Sequence, residues 1–327
     1  MEQLYFIINP KARNGACLKI WERLESKLKN KNISYMALFT EYPGHAKRLA
    51  DQIAIKSTEI KILIAVGGDG TMHEVMNGMV LYKNIILGFI PGGSGNDFSR
   101  GFQIPVDPEE ALNVIIRLMK KEASLIDIGE ITMHDQINHY FINNMGAGFD
   151  AIISYEVNHS RMKALFNKLS LGRLIYVYFL LKKLFTYKCS TIDLSIDGKK
   201  HIFEHTWFVT VSNQPYYDGG MKIAPGSLAD DGLFDITVVH RLSRLKLLFV
   251  FISVFGGKHI HFKEVKTFKG SLVSIHTNSP LYVHADGEFI GYTPLTINLH
   301  SKAVKVLTRK RSKEEVNLKE GGSNDFN

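Results

Sequence analysis

Apolar runs of strand length alternate with stretches of helical spacing through the first third of the chain. Residues 3–8 are apolar and strand-like, and Asn9-Pro10 then breaks the run into a loop. Over residues 16–30 the positions Leu18, Trp21, Leu24 and Leu28 recur at three- and four-residue intervals, which predicts an amphipathic helix. Residues 33–40 read as a strand and 44–56 as a helix. Two more apolar runs, Ile62 to Val66 and Ile85 to Ile90, each end in a glycine-rich turn with helix-start signals behind it. A further helix is predicted near residues 108–121. This alternation predicts an α/β, Rossmann-like domain over residues 1–130, with a mostly parallel sheet and its ligand at the carboxyl ends of the strands.

Beyond residue 130 the pattern changes. Strand-like runs dominate at 138–145, 190–197, 202–212, 232–240, 264–276, 280–285 and 294–299. They predict a mainly antiparallel second domain over residues 131–300, a β-sandwich, interrupted by helical insertions around 149–186 and 242–255. Trp21 and Trp207 read as core, and His259 and His261 as a strand edge or surface. Residues 313–327 are polar and charged and read as a frayed tail.

Composition narrows the class. A chain of 327 residues suggests two domains. Cys17 and Cys189 are far apart and have no metal-ligand spacing, which fits a reducing cytoplasm. The N-terminus lacks a signal-peptide layout, and no apolar stretch reaches the length that spans a bilayer. The net charge of +8 favours an anionic partner. Charge alone leaves nucleotide, nucleic acid and anionic lipid open.

The two glycine turns change the picture most. Gly67-Gly68-Asp69-Gly70-Thr71 and Pro91-Gly92-Gly93-Ser94-Gly95-Asn96-Asp97 each follow a strand and precede a helix. Glycines let the backbone approach an anion, and helix N-terminal amides point at it. An aspartate in such a turn repels phosphate unless a cation stands between them. The pair predicts a nucleoside triphosphate held through Mg²⁺ by Asp69 and Asp97. Neither turn is a Walker A loop, and His73 and Phe98 stand where a dinucleotide fingerprint needs its third glycine. Thr71-x-x-Glu74 reads as a capping box, and Ser94-x-x-Asp97 as a weaker one.

These stretches, GGDGT and PGGSGNDFSR, resemble the diacylglycerol kinase catalytic family in its bacterial lipid kinase branch, with sphingosine kinases as relatives. The resemblance extends to Asn9-Pro10-Lys11-Ala12, Thr40, Ala224-Pro225, Asp231-Gly232-Leu233-Phe234-Asp235 and Asp286-Gly287-Glu288, to about residue 308. It implies an ATP- and Mg²⁺-dependent kinase acting on a lipid hydroxyl such as that of diacylglycerol. Nucleotide contacts are expected from Asn9, Pro10, Lys11, Ala12 and Arg13, from Thr40, from the amides of Gly67, Gly68, Asp69, Gly70, Thr71, Met72 and His73, and from Ser94, Asn96 and Arg100. Arg13 stands where the family often has glycine. Asp127 is implied as a third member of the Mg²⁺ network, Asp286 as general base and Glu288 as its helper. Residue types alone make Asp286-Gly287 a hairpin turn. A structural Mg²⁺ is implied at Asp231 with the carbonyls of Leu228 and Leu233, although the family often has a side-chain oxygen where Leu228 stands; Asp230 or Asp235 could substitute. Residues 301–312 are expected to cross back onto the first domain.

The segment between Asn158 and Ser190 holds Arg161, Lys163, Lys168, Arg173, Lys182, Lys183 and Lys188 and no acidic residue, around the apolar run Leu174 to Leu181. Leu247 to Ile252 is a second apolar run. Basic charge beside an apolar helix suits an anionic membrane surface, so peripheral attachment at the inner membrane face is expected, with buried interdomain helices as the alternative use. No nucleic-acid partner is expected, and an exposed strand edge leaves room for a homodimer. The competing functions are an NAD kinase, which shares the GGDGT-type turn, and a regulator that binds nucleotide or lipid without catalysis.

Overall fold

The computed structural model describes residues 3–56, 58–134, 137–160, 172–217 and 219–308. Its first part is an open parallel sheet flanked by helices. Strands β1 (Leu4–Ile8), β2 (Tyr35–Phe39), β3 (Lys61–Gly67) and β4 (Ile85–Pro91) lie in the order β4-β3-β1-β2, all parallel. Every residue of β3 is buried, as a strand covered on both faces must be. Helix α1 (Ala16–Asn30) buries Cys17, Ile20, Trp21, Leu24 and Leu28. Its inward stripe is therefore one residue away from the expected Leu18, which is exposed.

Helices α2 (His45–Ile55), α3 (Asp69–Met79), α4 (Asp97–Gly101) and α5 (Pro108–Leu118) complete this part. Asp107 caps α5 by accepting from the amides of Glu109 and Glu110, with Pro108 at the first helical position. The capping box expected at Thr71 is absent. Thr71 lies inside α3, and Glu74 instead accepts from the amides of Gly44 and Ala46 at 2.8 and 3.0 Å, capping α2. α4 likewise has no side-chain cap; Asn96 holds the left-handed N-cap position.

The rest is mainly antiparallel. It contains β5 (Ser124–Met133), β6 (Asn138–Phe141), β7 (Asn144–Gly148), β8 (Ser190–Ile196), β9 (Lys199–Ser212), β10 (Tyr216–Tyr217), β11 (Met221–Lys222), β12 (Phe234–His240), β13 (Val265–Gly270), β14 (Leu272–Thr277), β15 (Tyr282–Ala285), β16 (Glu288–Tyr292) and β17 (Leu295–Val306). The single strand expected over 264–276 is two strands, broken at Ser271. Asp197 accepts there from the amides of Ser271 and Leu272 and from the Ser271 hydroxyl. β17 joins the two parts: it runs antiparallel to β5 and β14, and its end pairs parallel with β4 at Lys305–Ile86 and Val306–Leu87.

Three apolar clusters result, one around the parallel sheet and one within the antiparallel strands. The third lies under α6 (Phe149–His159), α7 (Gly172–Thr186) and α8 (Arg244–Val254). Trp21 and Trp207 are core residues as expected. His259 departs from expectation: it is buried in a short 3-10 turn, bonds the Ile223 carbonyl at 2.9 Å, and is pushed down to about 4 by burial. Residues 313–327 and the bases Arg161, Lys163 and Lys168 lie outside the described residues, as does the side chain of Arg173.

Candidate active site

The carboxyl ends of β1 to β4 carry the Asn9 loop, Thr40 and the two glycine turns at one edge of the sheet. The turns touch backbone to backbone. The Gly92 amide donates to the Gly67 carbonyl at 2.7 Å, and a methyl group on Gly93 would lie 2.4 Å from the Gly68 Cα. Glycine is therefore required at Gly93, while a methyl group on Gly68 would meet the Gly93 Cα at a tight 3.3 Å. Asp69 opens α3 and Asp97 opens α4. A methyl group on Gly95 would lie 2.7 Å from Asp69 Oδ2 and 3.9 Å from Asp97 Oδ2, so both carboxylates reach the same point.

This is a buried concentration of negative charge. Burial and then the Asp97 carboxylate push Asp69 up to about 7, against the bond it accepts from the Phe98 amide. Burial also raises Asp97, although the Gly219 amide and the Arg100 guanidinium oppose it. Asp97 Oδ2 accepts from that amide at 2.7 Å, and Oδ1 pairs with Arg100 Nη1 at 2.7 Å. Arg100 also donates to the Gly95 carbonyl. This cation, expected on phosphate, is held through Nη1 by Asp97 and by the turn.

The Asn9 loop is tied to the first turn. Asn9 Nδ2 donates to Thr71 Oγ1 at 3.1 Å, and Asn9 Oδ1 accepts from the Lys11 amide. Arg13, Asn14 and Gly15 all take positive φ, at 50°, 54° and 86°. The loop thus keeps a shape suited to glycine although Arg13 stands there. Pro10 and Ala12 lie within the same loop. Lys11 Nζ bonds the Glu41 carbonyl at 2.8 Å. Thr40 is buried and its amide bonds the Ile8 carbonyl, which sets it beside Asn9.

The amides of Asp69, Gly70 and Thr71 are first-turn donors without helical acceptors. The Met72 amide is already spent on the Gly68 carbonyl, and its side chain is core. Ser94 is exposed at the tip of the second turn. Beside the turns runs an open groove of about 860 Å³ lined in part by Arg13, Gly93 and Asn96.

The β15–β16 hairpin approaches from the antiparallel side. Asp286 and Gly287 take φ of 51° and 86°, the left-handed pair of a two-residue hairpin turn. Glu288 lies over α3, where a methyl group on Gly70 would stand 2.7 Å from its Oε1. Asp286 is anchored rather than free. Its Oδ1 accepts from the amides of Asn143 and Asn144 at 2.8 and 3.2 Å. Its Oδ2 accepts from the Ile142 amide at 3.2 Å and faces His73 Nδ1 at 3.0 Å. Beneath the turn, His284 Nδ1 accepts from the Gly287 amide and Nε2 faces the buried Asp150 at 3.3 Å. Sequence reasoning did not single out the side chains of His73, Asp150 or His284. The available signal was the position of His284, near the end of β15 and two residues before Asp286.

At two expected metal ligand sets the carboxylates have protein partners of their own. Asp127 is fully buried, and its oxygens accept from the amides of Gly232 and Lys302, at 2.8 and 2.7 Å. It ties β5 to the Asp231 loop and to β17. At the structural site, Asp231 Oδ1 accepts from the Leu233 amide at 3.1 Å. Lys269 Nζ lies 3.5 Å from Asp231 and 3.2 Å from Asp235. Burial alone would lower Lys269, but Asp235 and Asp231 outweigh it and raise it. The ammonium thus places positive charge beside Asp231, where an ion with the carbonyls of Leu228 and Leu233 is expected. Without nucleotide, Mg²⁺ is expected to act no differently on the melting temperature of the wild type and of Asp231→Asn. Lys269→Met is expected to melt about 2 °C lower. Scanning fluorimetry checks both; a Mg²⁺-dependent rise lost in Asp231→Asn would restore the ion.

Among the described residues, no three His, Cys, Asp or Glu side chains converge as a complete cation cage. The donor set at Asp69 and Asp97 nevertheless fits Mg²⁺: two hard oxygen donors, buried, with an excess of negative charge.

Comparison with known proteins supplies the family. Residues 3–131 match the diacylglycerol kinase catalytic domain, and residues 143–308 match the YegS C-terminal NAD kinase beta sandwich-like domain. The chain is 34% identical to a Bacillus subtilis protein named "Putative lipid kinase YtlR" over 94% of its own length and 100% of that protein's. It is 28% identical to a diacylglycerol kinase of Mycobacterium tuberculosis, over 92% of this chain and 93% of that one. A crystal structure described as a "putative diacylglycerol kinase" from Bacillus anthracis str. Sterne superposes with a TM-score of 0.72 at 25% identity, covering 94% of this chain and 95% of that one. The paired domains, the touching glycine turns and the full-length likeness lead to one statement: the chain belongs to the diacylglycerol kinase family of lipid phosphotransferases.

Proposed function

We propose that the protein transfers the γ-phosphate of ATP to a lipid hydroxyl, with diacylglycerol as acceptor and phosphatidic acid as product. The observation that carries this reading is the meeting of Asp69 and Asp97 at Gly95, with the Asp286–Glu288 hairpin lying over Gly70. First-turn amides of α3 and the Asn9 loop would cradle the polyphosphate. Asp69 and Asp97 would hold Mg²⁺ together with phosphate oxygens, and the ion would neutralise charge on the transferring group. The acceptor hydroxyl would enter from the hairpin side, where its proton is removed.

The lipid's route is read from α8. Its sequence is apolar on all sides: Leu247, Val250 and Val254 are buried, while Leu245, Phe249 and Ile252 are 66%, 68% and 69% exposed. Phe185 on α7 is also exposed. A helix apolar all round belongs in a core or in lipid, and half of this one faces outward. Under it lies an apolar cavity of about 30 Å³ bordered by Phe149, Phe208, Leu247 and Val254. That space holds about one water, so an acyl chain would enter only if α8 shifts. Among the described residues no helix is long and apolar enough to cross a membrane. We therefore read α8 as a surface that lies on an anionic bilayer. Of the bases expected to help, Lys183 is occupied by Glu156 at 2.8 Å, which leaves Lys182 as the better candidate on α7. Phe249→Asp with Ile252→Asp is expected to abolish flotation with anionic liposomes while sparing turnover of a short-chain soluble diacylglycerol. Unchanged flotation would remove α8 from the interface.

The activity itself is tested by incubating the protein with γ-labelled ATP, Mg²⁺ and a lipid panel. Label in phosphatidic acid supports the proposal. Label in another phospholipid retains the kinase and changes the acceptor. Label only in aqueous NADP, after adding NAD, would overturn it.

A further inference from the structure

We propose that His284 is a positioning residue for phosphoryl transfer: it grips the Gly287 amide and so aims the Asp286 and Glu288 carboxylates at the acceptor hydroxyl. The inference rests on the kinase reading above and adds the group that sets the hairpin turn.

The turn has two main-chain amides that its own ladder does not use. Ala285 pairs with Glu288, and the amides of the two central residues are left over. The Asp286 amide donates to the Asn144 carbonyl at 2.8 Å, which seats the turn on β7. The Gly287 amide donates to His284 Nδ1 at 3.3 Å. An amide only donates, so Nδ1 accepts and the neutral ring carries its hydrogen on Nε2. Nε2 faces Asp150 Oδ2 at 3.3 Å, and both side chains are buried. Asp150 Oδ1 has no hydrogen-bond partner among the described residues, so the carboxylate has much to lose if the ring turns away.

The other side of the Gly287 residue is held as well. Asn158 Nδ2 donates to its carbonyl at 3.1 Å. Asp150 and Asn158 lie in the first and last turns of α6, so one helix holds Gly287 at its N–H, through His284, and at its C=O directly. Between them Tyr155 packs on the hairpin, its ring 5.1 Å from Tyr282 and 4.9 Å from Phe289. Room for the clamp comes from Gly146, opposite His284 in the β7–β15 pairing. A methyl group there would collide with Asp150 Oδ2 and His284 Nε2.

Gly287 stands between the two carboxylates. Asp286 keeps its bonds to the amides of residues 142–144 only while the turn stays seated over β7. The Glu288 side chain makes no hydrogen bond or ion pair among the described residues, so its aim over Gly70 is set by the main chain. A displacement of about 1 Å at a reacting group costs on the order of a hundredfold in rate. The clamp on Gly287 is therefore worth more to turnover than to stability.

Two substitutions separate the ring nitrogens. In His284→Asn the side-chain oxygen takes the place of Nδ1 and still accepts from Gly287, while Asp150 loses its partner. In His284→Gln the side-chain NH₂ takes the place of Nε2 and still serves Asp150, while the Gly287 amide loses its acceptor. Single-turnover kinetics with MgATP and a soluble diacylglycerol are expected to show His284→Gln about tenfold or more below wild type, with MgATP affinity unchanged. His284→Asn is expected to recover most of that loss and yet to melt lower than His284→Gln. A merely structural role would make turnover follow stability instead. Asn158→Ala, at an exposed position, is expected to slow turnover about threefold with melting within about 2 °C of wild type. His284→Gln within about twofold of wild type, or His284→Asn slowed as much as His284→Gln, would overturn the proposal. If neither His284 variant folds, unchanged turnover in Asn158→Ala would overturn it. A wild-type enzyme that labels no lipid would sink the kinase reading, and this inference with it.

Discussion

Asp69→Asn is expected to cost about three orders of magnitude in phosphoryl transfer and yet to make the nucleotide-free protein more stable at pH 8. The two effects have one cause. Asp69 is half-buried beside Asp97, and its pKa is pushed up to about 7, from 3.8 in an unfolded chain. Between about pH 4 and 7 the native state therefore binds a proton that the unfolded state has released. Stability then falls as pH rises through that window and levels off above it. Asparagine removes this cost, which is on the order of a few kcal/mol. The variant should match wild type near pH 4 and exceed it at pH 8. Asp97, also raised by burial, leaves a residual slope of the same sign. Urea unfolding at several pH values measures the first effect, and labelled ATP the second. A variant no more stable than wild type at pH 8 would mean that Asp69 carries no such cost. Retained turnover would mean that its carboxylate does not hold the metal.

Gly93→Ala is expected to damage both the fold and nucleotide binding. The added methyl would stand 2.4 Å from the Gly68 Cα, and a backbone atom cannot rotate out of the way as a side chain can. One of the two glycine turns must shift. Overpacking of this kind costs about 1–3 kcal/mol, and melting should fall by several degrees. The larger consequence is functional, because a shift between the turns separates Asp69 from Asp97. ATP affinity measured by calorimetry should fall at least tenfold, or about 1.4 kcal/mol. Gly226→Ala is the control, since a methyl group there meets nothing within 4 Å. Equal behaviour of the two variants would show that the contact between the turns is not needed.

Local signals in the sequence carried much of the fold. The bounds of α1, the β/α alternation and the turn at Asp286-Gly287 follow from spacing and residue type, which are properties of neighbouring residues. What local signals missed has one physical origin, partners distant along the chain. Glu74 looked like the cap of its own helix because the amides it serves, on Gly44 and Ala46, belong to another. The cation beside the Asp231 loop comes from Lys269. That residue stands opposite Asp235 only through the register of β12 and β13. Asp127 had amide partners in Gly232 and Lys302, the second of them on β17, where the chain returns to the first sheet.

The site shows the same division. The meeting of Asp69 and Asp97 in glycine turns, the proposed phosphate side, was legible because backbone geometry and residue type coincide there. On the proposed acceptor side, Asp286 stood out only through the resemblance. The anchoring of that carboxylate by residues 142–144, and its contact with His73, depend on β7 pairing with β15. Nothing in the linear order joins position 73 to position 286.

The most direct measurement is the anomalous scattering of Mn²⁺ in crystals soaked with a non-hydrolysable ATP analogue. A peak shared by the Asp69 and Asp97 carboxylates and the analogue's phosphates is the predicted result. Ordered nucleotide with the metal elsewhere, or with those two carboxylates turned apart, would contradict the account.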